Sequence, residues 1–297
     1  MKPRNDHRRA EPDGGFETGF ERRSTTMNGR DLRRTLSVAS MEYRLAVRGR
    51  WAIGLTALFA LFALGLATFS GAEVAPAGYE RTVASLAALA VYLVPLAALA
   101  FGYDAIVGRE ESGWLHALFA LPIARSRIVL GIYLGRAVVL AGAIVLGFGV
   151  AGVLLLLEFG FAGWPIYVWF TLVAVAAGLA FLSIAVFLST IVAEKTHALG
   201  IALLAWAWFV LIHDLLALGV IAAFDLTDTA VTAMVLANPA GTFRVLVLSG
   251  LEIGGGGGFA GVFASAGLSP VLLAVALLAW IVVPLGLAIA LVGRRSL

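Results

Sequence analysis

FGYDAIVGREESGWLHALFALPIARSRIVLGIYLG, residues 101–135, is a charged, proline-broken segment held between two long apolar runs. A soluble domain has little use for such an insert. A membrane protein that must grip a soluble partner has an obvious one. Reading outward from this segment decides the fold.

On both sides the chain is strongly apolar. Hydrophobic residues make up 61% of it, charged residues only 13%, and the mean hydropathy is +0.97. Soluble domains carry about 25% charged residues, so most of this chain is expected to avoid water. A spanning helix needs about 20 apolar residues. Runs of that length lie at about 51–70, 82–103, 137–157, 167–190, 198–224 and 270–292. They lack strand alternation and are too long for strands. The expected fold is an all-α polytopic membrane protein with six transmembrane helices, forming one permease-like domain over residues 51–297. The chain has no cysteine, which excludes disulfides, thiolate metal sites and Cys nucleophiles.

Basic residues give the expected orientation. Of the 21 Lys and Arg, nineteen lie in the N-terminal arm, in the 108–136 segment, at Lys195 or at Arg294–Arg295. Only Arg81 and Arg244 fall in the other loops. The positive-inside rule then predicts that both termini are cytoplasmic and the protein sits in the cytoplasmic membrane. Residues 1–30 read as a polar, disordered arm, with Met27 an alternative start. No cleaved signal peptide is expected, because the first apolar run starts late and is a full span. Over 31–50, Leu32, Leu36, Ala39, Tyr43 and Ala46 share one helical stripe. Arg33, Ser37, Ser40, Arg44 and Arg48 share another. That pattern predicts a basic amphipathic helix lying on membrane lipid, the alternative being an ordinary solvated helix.

On this topology residues 104–127 face the cytoplasm. Ser112 is expected to cap a short helix that Pro122 ends. Glu110 and Glu111 would sit at its start, where the helix dipole favours acids. Trp114, Leu118 and Leu121 share one face, flanked by Leu115 and Phe119. Such a face is costly in water unless covered. It either packs on this chain's own helices and lipid or docks in a partner's groove. Neither lysine, Lys2 nor Lys195, follows a glycine. No GxxxxGK[ST] phosphate loop is therefore possible, and any ATP is bound by another polypeptide.

These residues resemble the cytoplasmic signature of ABC type-2 permeases, which reads approximately D-x-I-x-G-E-R-E-x-G-T-L, then P-x-S-R and L-G-K. Asp104, Ile106, Gly108, Glu111, Gly113, Leu115, Pro122, Arg125, Leu130 and Gly131 fit it. Arg109–Glu110 reverses the usual order, and Trp114, Ala124 and Ile132 replace Thr, Ser and Lys. Met41 to Leu45, leading to Arg50–Trp51, is similar to the family's entry into its first span. Two further stretches resemble the subfamily that serves nitrous-oxide reductase maturation. One is WAWFVLIHDLL, residues 206–216, in the fifth run; the other is NPAGTFR, residues 238–244, with Gly241 where an Asp is usual.

The resemblance implies docking of a cytoplasmic ABC ATPase through Glu110, Glu111, Gly113, Trp114, Leu115, Leu118, Phe119, Pro122 and Arg125. ATP and Mg would sit on that ATPase, and this chain would bind no cofactor and catalyse no covalent chemistry. A second permease copy, giving a homodimer, is implied as well. The subfamily further implies an extracytoplasmic NosD-like accessory protein and a copper- or sulfur-related cargo or signal. The alternative is an ABC type-2 exporter permease with another substrate.

The remaining candidates divide by environment. Asp214, beside His213, lies inside a span, where a charge costs about 2.5–3.5 kcal/mol. It either faces a partner or path, or fixes packing through local hydrogen bonds. Asn238, Pro239, Phe243 and Arg244 form the outer-loop motif within the long connection 225–268, whose apolar patches are too short to span. Re-entrant or outer-surface helices are expected there. A metal site is not expected, since His and Met are scattered. GFGVAG, residues 147–152, matches G-x-G-x-x-G but lies within a span, and together with Gly131 and Gly135 reads as helix–helix contact. Two rival classes fit less well. A haem-bridging subunit needs paired axial His, and His213 is the sole His within a span. An ion-coupled transporter needs several deep ionisable groups, and only Asp214 qualifies. Nothing suggests nucleic acid as a partner.

Overall fold

The computed structural model of the protein describes residues 29–69, 76–113, 124–224, 227–250 and 268–294. All regular structure among them is helical. An amphipathic α1 (Gly29–Arg48) leads through Arg50, at φ 62°, into α2 (Trp51–Phe69). Then follow α3 (Pro76–Gly102), the short α4 (Val107–Glu111), α5 (Arg125–Phe159) and α6 (Trp164–Ile191). The fifth apolar run forms α7 (Lys195–Ala207), a π-helical turn (Trp208–Ile212) and α8 (His213–Ala223) in one continuous rod. Two short helices, α9 (Asp228–Leu236) and α10 (Pro239–Leu248), precede the last, α11 (Pro270–Arg294).

Six of these units are long and apolar enough to cross a membrane: α2, α3, α5, α6, the α7–α8 rod and α11. The six-helix membrane fold expected from the sequence is therefore present. Burial sorts them. In α6, 61% of the most apolar window is buried, against 17% in α2 and in the α7–α8 rod. The core thus sits around α3, α5 and α6, and the first and fifth spans line the periphery. Phe59, Phe148, Phe170, Phe181 and Leu140 are among its fully buried side chains.

Small residues set the closest approaches. A Cβ added to Gly147 would collide with Phe59 Cβ and lie 3.1 Å from the Thr56 carbonyl, so α5 and α2 touch through that glycine. Gly152 is likewise filled by the Tyr167 ring, whereas Gly149 faces nothing within 4 Å. The GxGxxG-like run is thus a packing device, and only two of its glycines are used.

With 35 residues, α5 is about 52 Å long, well beyond a hydrocarbon core of about 30 Å. It is longer than the apolar layer needs, and α1 lies against its first three turns. Gly131 and Gly135 are the seam. Added Cβ atoms there would sit 2.7 Å from Val38 Cβ and 2.5 Å from the Ala39 carbonyl oxygen respectively. The face of α1 turned inward is Thr35, Val38, Glu42 and Ala46. Of the apolar stripe expected from periodicity, only Ala46 is buried; Leu32, Leu36 and Tyr43 are exposed beside the seam. Close approach to two glycines selects the packed face in place of greatest hydrophobicity.

Between the fifth and sixth spans, α9 and α10 meet at 110°. The pair leaves from the end where α8 stops and returns to Gly250, whose added Cβ would meet Trp169, five residues into α6. The bend is that of a helical hairpin, the shape of a broken span or a re-entrant loop, where re-entrant or outer-surface helices were expected. Six crossings consequently bring α1 and the end of α11 to one end of the bundle.

Candidate functional site

At the α1 end, the turn after α3 is tied to four other elements. Arg109 of α4 pairs with Glu42 of α1, whose side chain is 3% exposed, and donates to the Ala105 carbonyl. Arg136 of α5 donates to Asp104 Oδ1 at 2.8 Å and to the Phe101 carbonyl, with its Nε 3.8 Å from Glu42. Lys195, opening α7, lies 3.5 Å from Asp104 Oδ2, and its backbone N–H donates to Glu111 Oε1 at 2.6 Å. Ser189, in the last turn of α6, accepts from the N–H groups of Ile106 and Val107 at 3.0 and 3.1 Å. Those amides start α4 and would otherwise lack intrahelical partners.

The junction is ionic, with Glu42, Arg109 and Arg136 largely buried and Asp104 and Lys195 part-exposed at its rim. Burial alone would raise the Asp104 carboxyl. Arg136, Lys195 and Arg109 outweigh that, and the group, beyond the end of α3, is held below the ordinary carboxylate range. Burial works the other way on Arg109 and lowers its guanidinium from the usual value, though Glu42 opposes this. Buried ion pairs add little net stability, but removing one partner strands the other at a cost of several kcal/mol. Such a junction therefore resists partial rearrangement.

Of the residues expected to dock an ATPase, Trp114, Leu115, Leu118, Phe119 and Pro122 lie outside the described residues. Glu110 and Glu111 end the short α4. Ser112 follows as its C-cap, the hydroxyl donating to the Arg109 carbonyl at 3.2 Å. The helix expected from Ser112 to Pro122 lies outside the described residues. Gly113 follows at φ 72°, a left-handed conformation suited to glycine, and Arg125 is the first residue of α5. Periodicity could not reveal Glu42, Arg136 and Lys195 as one cluster. The available signal was an acid on an otherwise basic helix and a charge at the rim of each of two apolar runs.

A second polar cluster lies midway along the fifth span. The π-helical turn ends at His213 and Asp214. The tip of the helical hairpin meets it there. Asn238 caps α10 by accepting from Ala240 N–H at 2.9 Å, which fixes the orientation of its amide. Its Nδ2 then faces the Phe209 carbonyl at 2.8 Å, Asp214 Oδ1 at 3.0 Å and His213 Nδ1 at 3.1 Å. Arg244 donates to Asp214 Oδ2 at 2.6 Å. Pro239 and Phe243 are buried behind them. Two sequence motifs 24 residues apart, between Asp214 and Asn238, are thus one site. Among the described residues no group of three or more His, Asp or Glu could hold a metal ion.

A bundle of six apolar helices with an ionic junction at the end bearing α1 defines a multi-pass membrane protein. The chain belongs to the ABC-2 family of transporter proteins, whose family model matches residues 36–297. Within that family it is similar to the probable ABC transporter permease protein NosY of Stutzerimonas stutzeri. The two are 38% identical over 272 residues, 87% of this chain and 98% of that protein. The protein of the same name from Pseudomonas aeruginosa PAO1 is 35% identical over 279 residues, 88% of this chain and 98% of its own length. By homology the chain is a NosY-like ABC-2 permease, and membership of the family implies an ATPase partner.

Proposed function

We propose that this chain is the permease subunit of an ATP-driven transporter in the cytoplasmic membrane. Its task is copper-site maturation of nitrous-oxide reductase, by moving or signalling a copper- or sulfur-related species. The observation that carries the reading is the end-to-end likeness to NosY permeases. It gains support from the contact between the two subfamily-like motifs at Asp214, Asn238 and Arg244.

Both termini lie in the cytoplasm, in keeping with the basic residues near α1 and the start of α5. A separate ABC ATPase, carrying ATP and Mg, docks on the segment Glu110–Leu121. Two permease copies pair, and a NosD-like accessory protein sits on the extracytoplasmic face over the 225–268 connection. ATP-driven closure of the ATPases pushes α4. Through Arg109–Glu42, Arg136–Asp104 and Lys195, that push moves α1, α5 and α7 as a unit. Apart from this mechanical role the chain performs no chemistry.

Deletion of the chain in a denitrifying host tests the function. Nitrous-oxide reductase purified from the deletion strain is expected to lack its copper-site absorption, and a plasmid copy restores it. Normal copper content in the deletion strain would instead assign the chain to an ABC exporter of another substrate.

A further inference from the structure

The polar cluster in the fifth span has more hydrogen-bond claimants than hydrogens. A primary amide carries two N–H hydrogens. Asn238 Nδ2 has three neighbours within 3.1 Å: the Phe209 carbonyl, Asp214 Oδ1 and His213 Nδ1. Its carbonyl oxygen is committed to Ala240 N–H, so the amide cannot flip to share them differently. Two acceptors can be served at once, and in the tautomer that leaves His213 Nδ1 free of a proton the third waits. The cluster therefore has alternative hydrogen-bonded arrangements with almost the same atom positions.

The geometry of the span makes those arrangements matter. A π-helical turn holds one extra residue in an otherwise α-helical rod. The turn Trp208–Ile212 includes the Phe209 carbonyl, which Asn238 satisfies from outside the span. Conversion of the turn to α-helix would rotate everything beyond it by one residue, about 100°. Asp214 would then swing away from Arg244, and His213 from Asn238. Among the described residues, Leu211, Leu215 and Leu218 on the other side of the rod are exposed. Phe209 in the turn also packs on Phe181 of α6 and Trp280 of α11, so the polar restraint on α8 comes from the hairpin and the apolar one on the turn from its neighbours.

We infer that the helical hairpin is a latch on the fifth span: Asn238 and Arg244 hold the π-helical turn in place through Phe209 and Asp214, and its release lets α8 rotate during the transport cycle. The inference rests on the permease reading and adds a moving part to it. The ionic junction supplies the drive, because Lys195 begins the same rod at its other end. Asn238 and Arg244 are positioning residues, acting on the span and not on cargo.

Hydrogen–deuterium exchange of the permease–ATPase complex in lipid nanodiscs tests this, read on residues 208–216. In the wild type, a non-hydrolysable ATP analogue should raise exchange there by about fivefold or more, the lower end of ordinary coupling. In R244Q and N238A exchange should already be high without nucleotide and should no longer respond to it. R244K, which keeps the charge, should restore the nucleotide response. An intact complex whose 208–216 exchange ignores nucleotide in the wild type, or is unchanged in R244Q and N238A, overturns the latch alone. Failure of the ATPase to associate with the wild-type chain overturns the permease reading and the latch with it.

Discussion

Replacing Gly135 by Ala adds one methyl group where α1 and α5 touch. That Cβ would meet Glu42 Cβ and lie 2.5 Å from the Ala39 carbonyl oxygen and 3.3 Å from its carbon. All three are backbone or one bond from it, so no side-chain rotation relieves the overlap. Either α1 lifts or α5 shifts. Overpacking of this kind costs about 1–3 kcal/mol. The effect should exceed that range if lifting α1 also separates Glu42 from Arg109, since Glu42 has no second exit to water. Gly142 is the control on the same helix, because nothing lies within 4 Å of an added Cβ there. Equilibrium denaturation of the purified protein in detergent compares the two. G135A should lose at least about 1 kcal/mol, and G142A should match wild type or gain slightly from helix propensity. Equal stability of the two variants would refute the seam as described.

Other substitutions probe the same framework. E42Q leaves the buried Arg109 without its counter-charge and should cost about 3–5 kcal/mol in the same denaturation assay. R109Q should cost a comparable amount, and the double variant E42Q/R109Q should lose clearly less than the sum; additive losses would show that the two do not interact. G147A should destabilise the contact between α2 and α5 while G149A, facing open space, should be silent, as a thermal-melting comparison in detergent would show.

The spans and their number were legible because hydrophobicity is a one-dimensional signal. Six apolar runs appear in the sequence and six apolar helices in the structure. The apolar patches of the 225–268 connection were too short to cross, and residues 231–236 and 245–248 fall in α9 and α10, which bend at Asn238. Less legible was which face of α1 packs. Periodicity assigned Leu32, Leu36 and Tyr43 to lipid and said nothing of the Thr35–Val38–Glu42 face, whose contact depends on Gly131 and Gly135 ninety or so residues away in sequence. The ionic junction was hidden for the same reason, as Glu42, Asp104, Arg136 and Lys195 meet only in three dimensions. The open alternatives for Asp214 resolve toward a partnered carboxylate, held by Arg244 and Asn238.

The central claim is that a separate ATPase grips this chain just beyond α4. Affinity purification of the chain co-expressed with its cognate ABC ATPase, as wild type and as W114E, measures that directly. The account predicts near-stoichiometric ATPase on the wild-type chain and its loss from W114E, with the variant's elution profile and melting behaviour unchanged. A wild-type chain that retains no ATPase, or a W114E chain that retains all of it, would contradict the account.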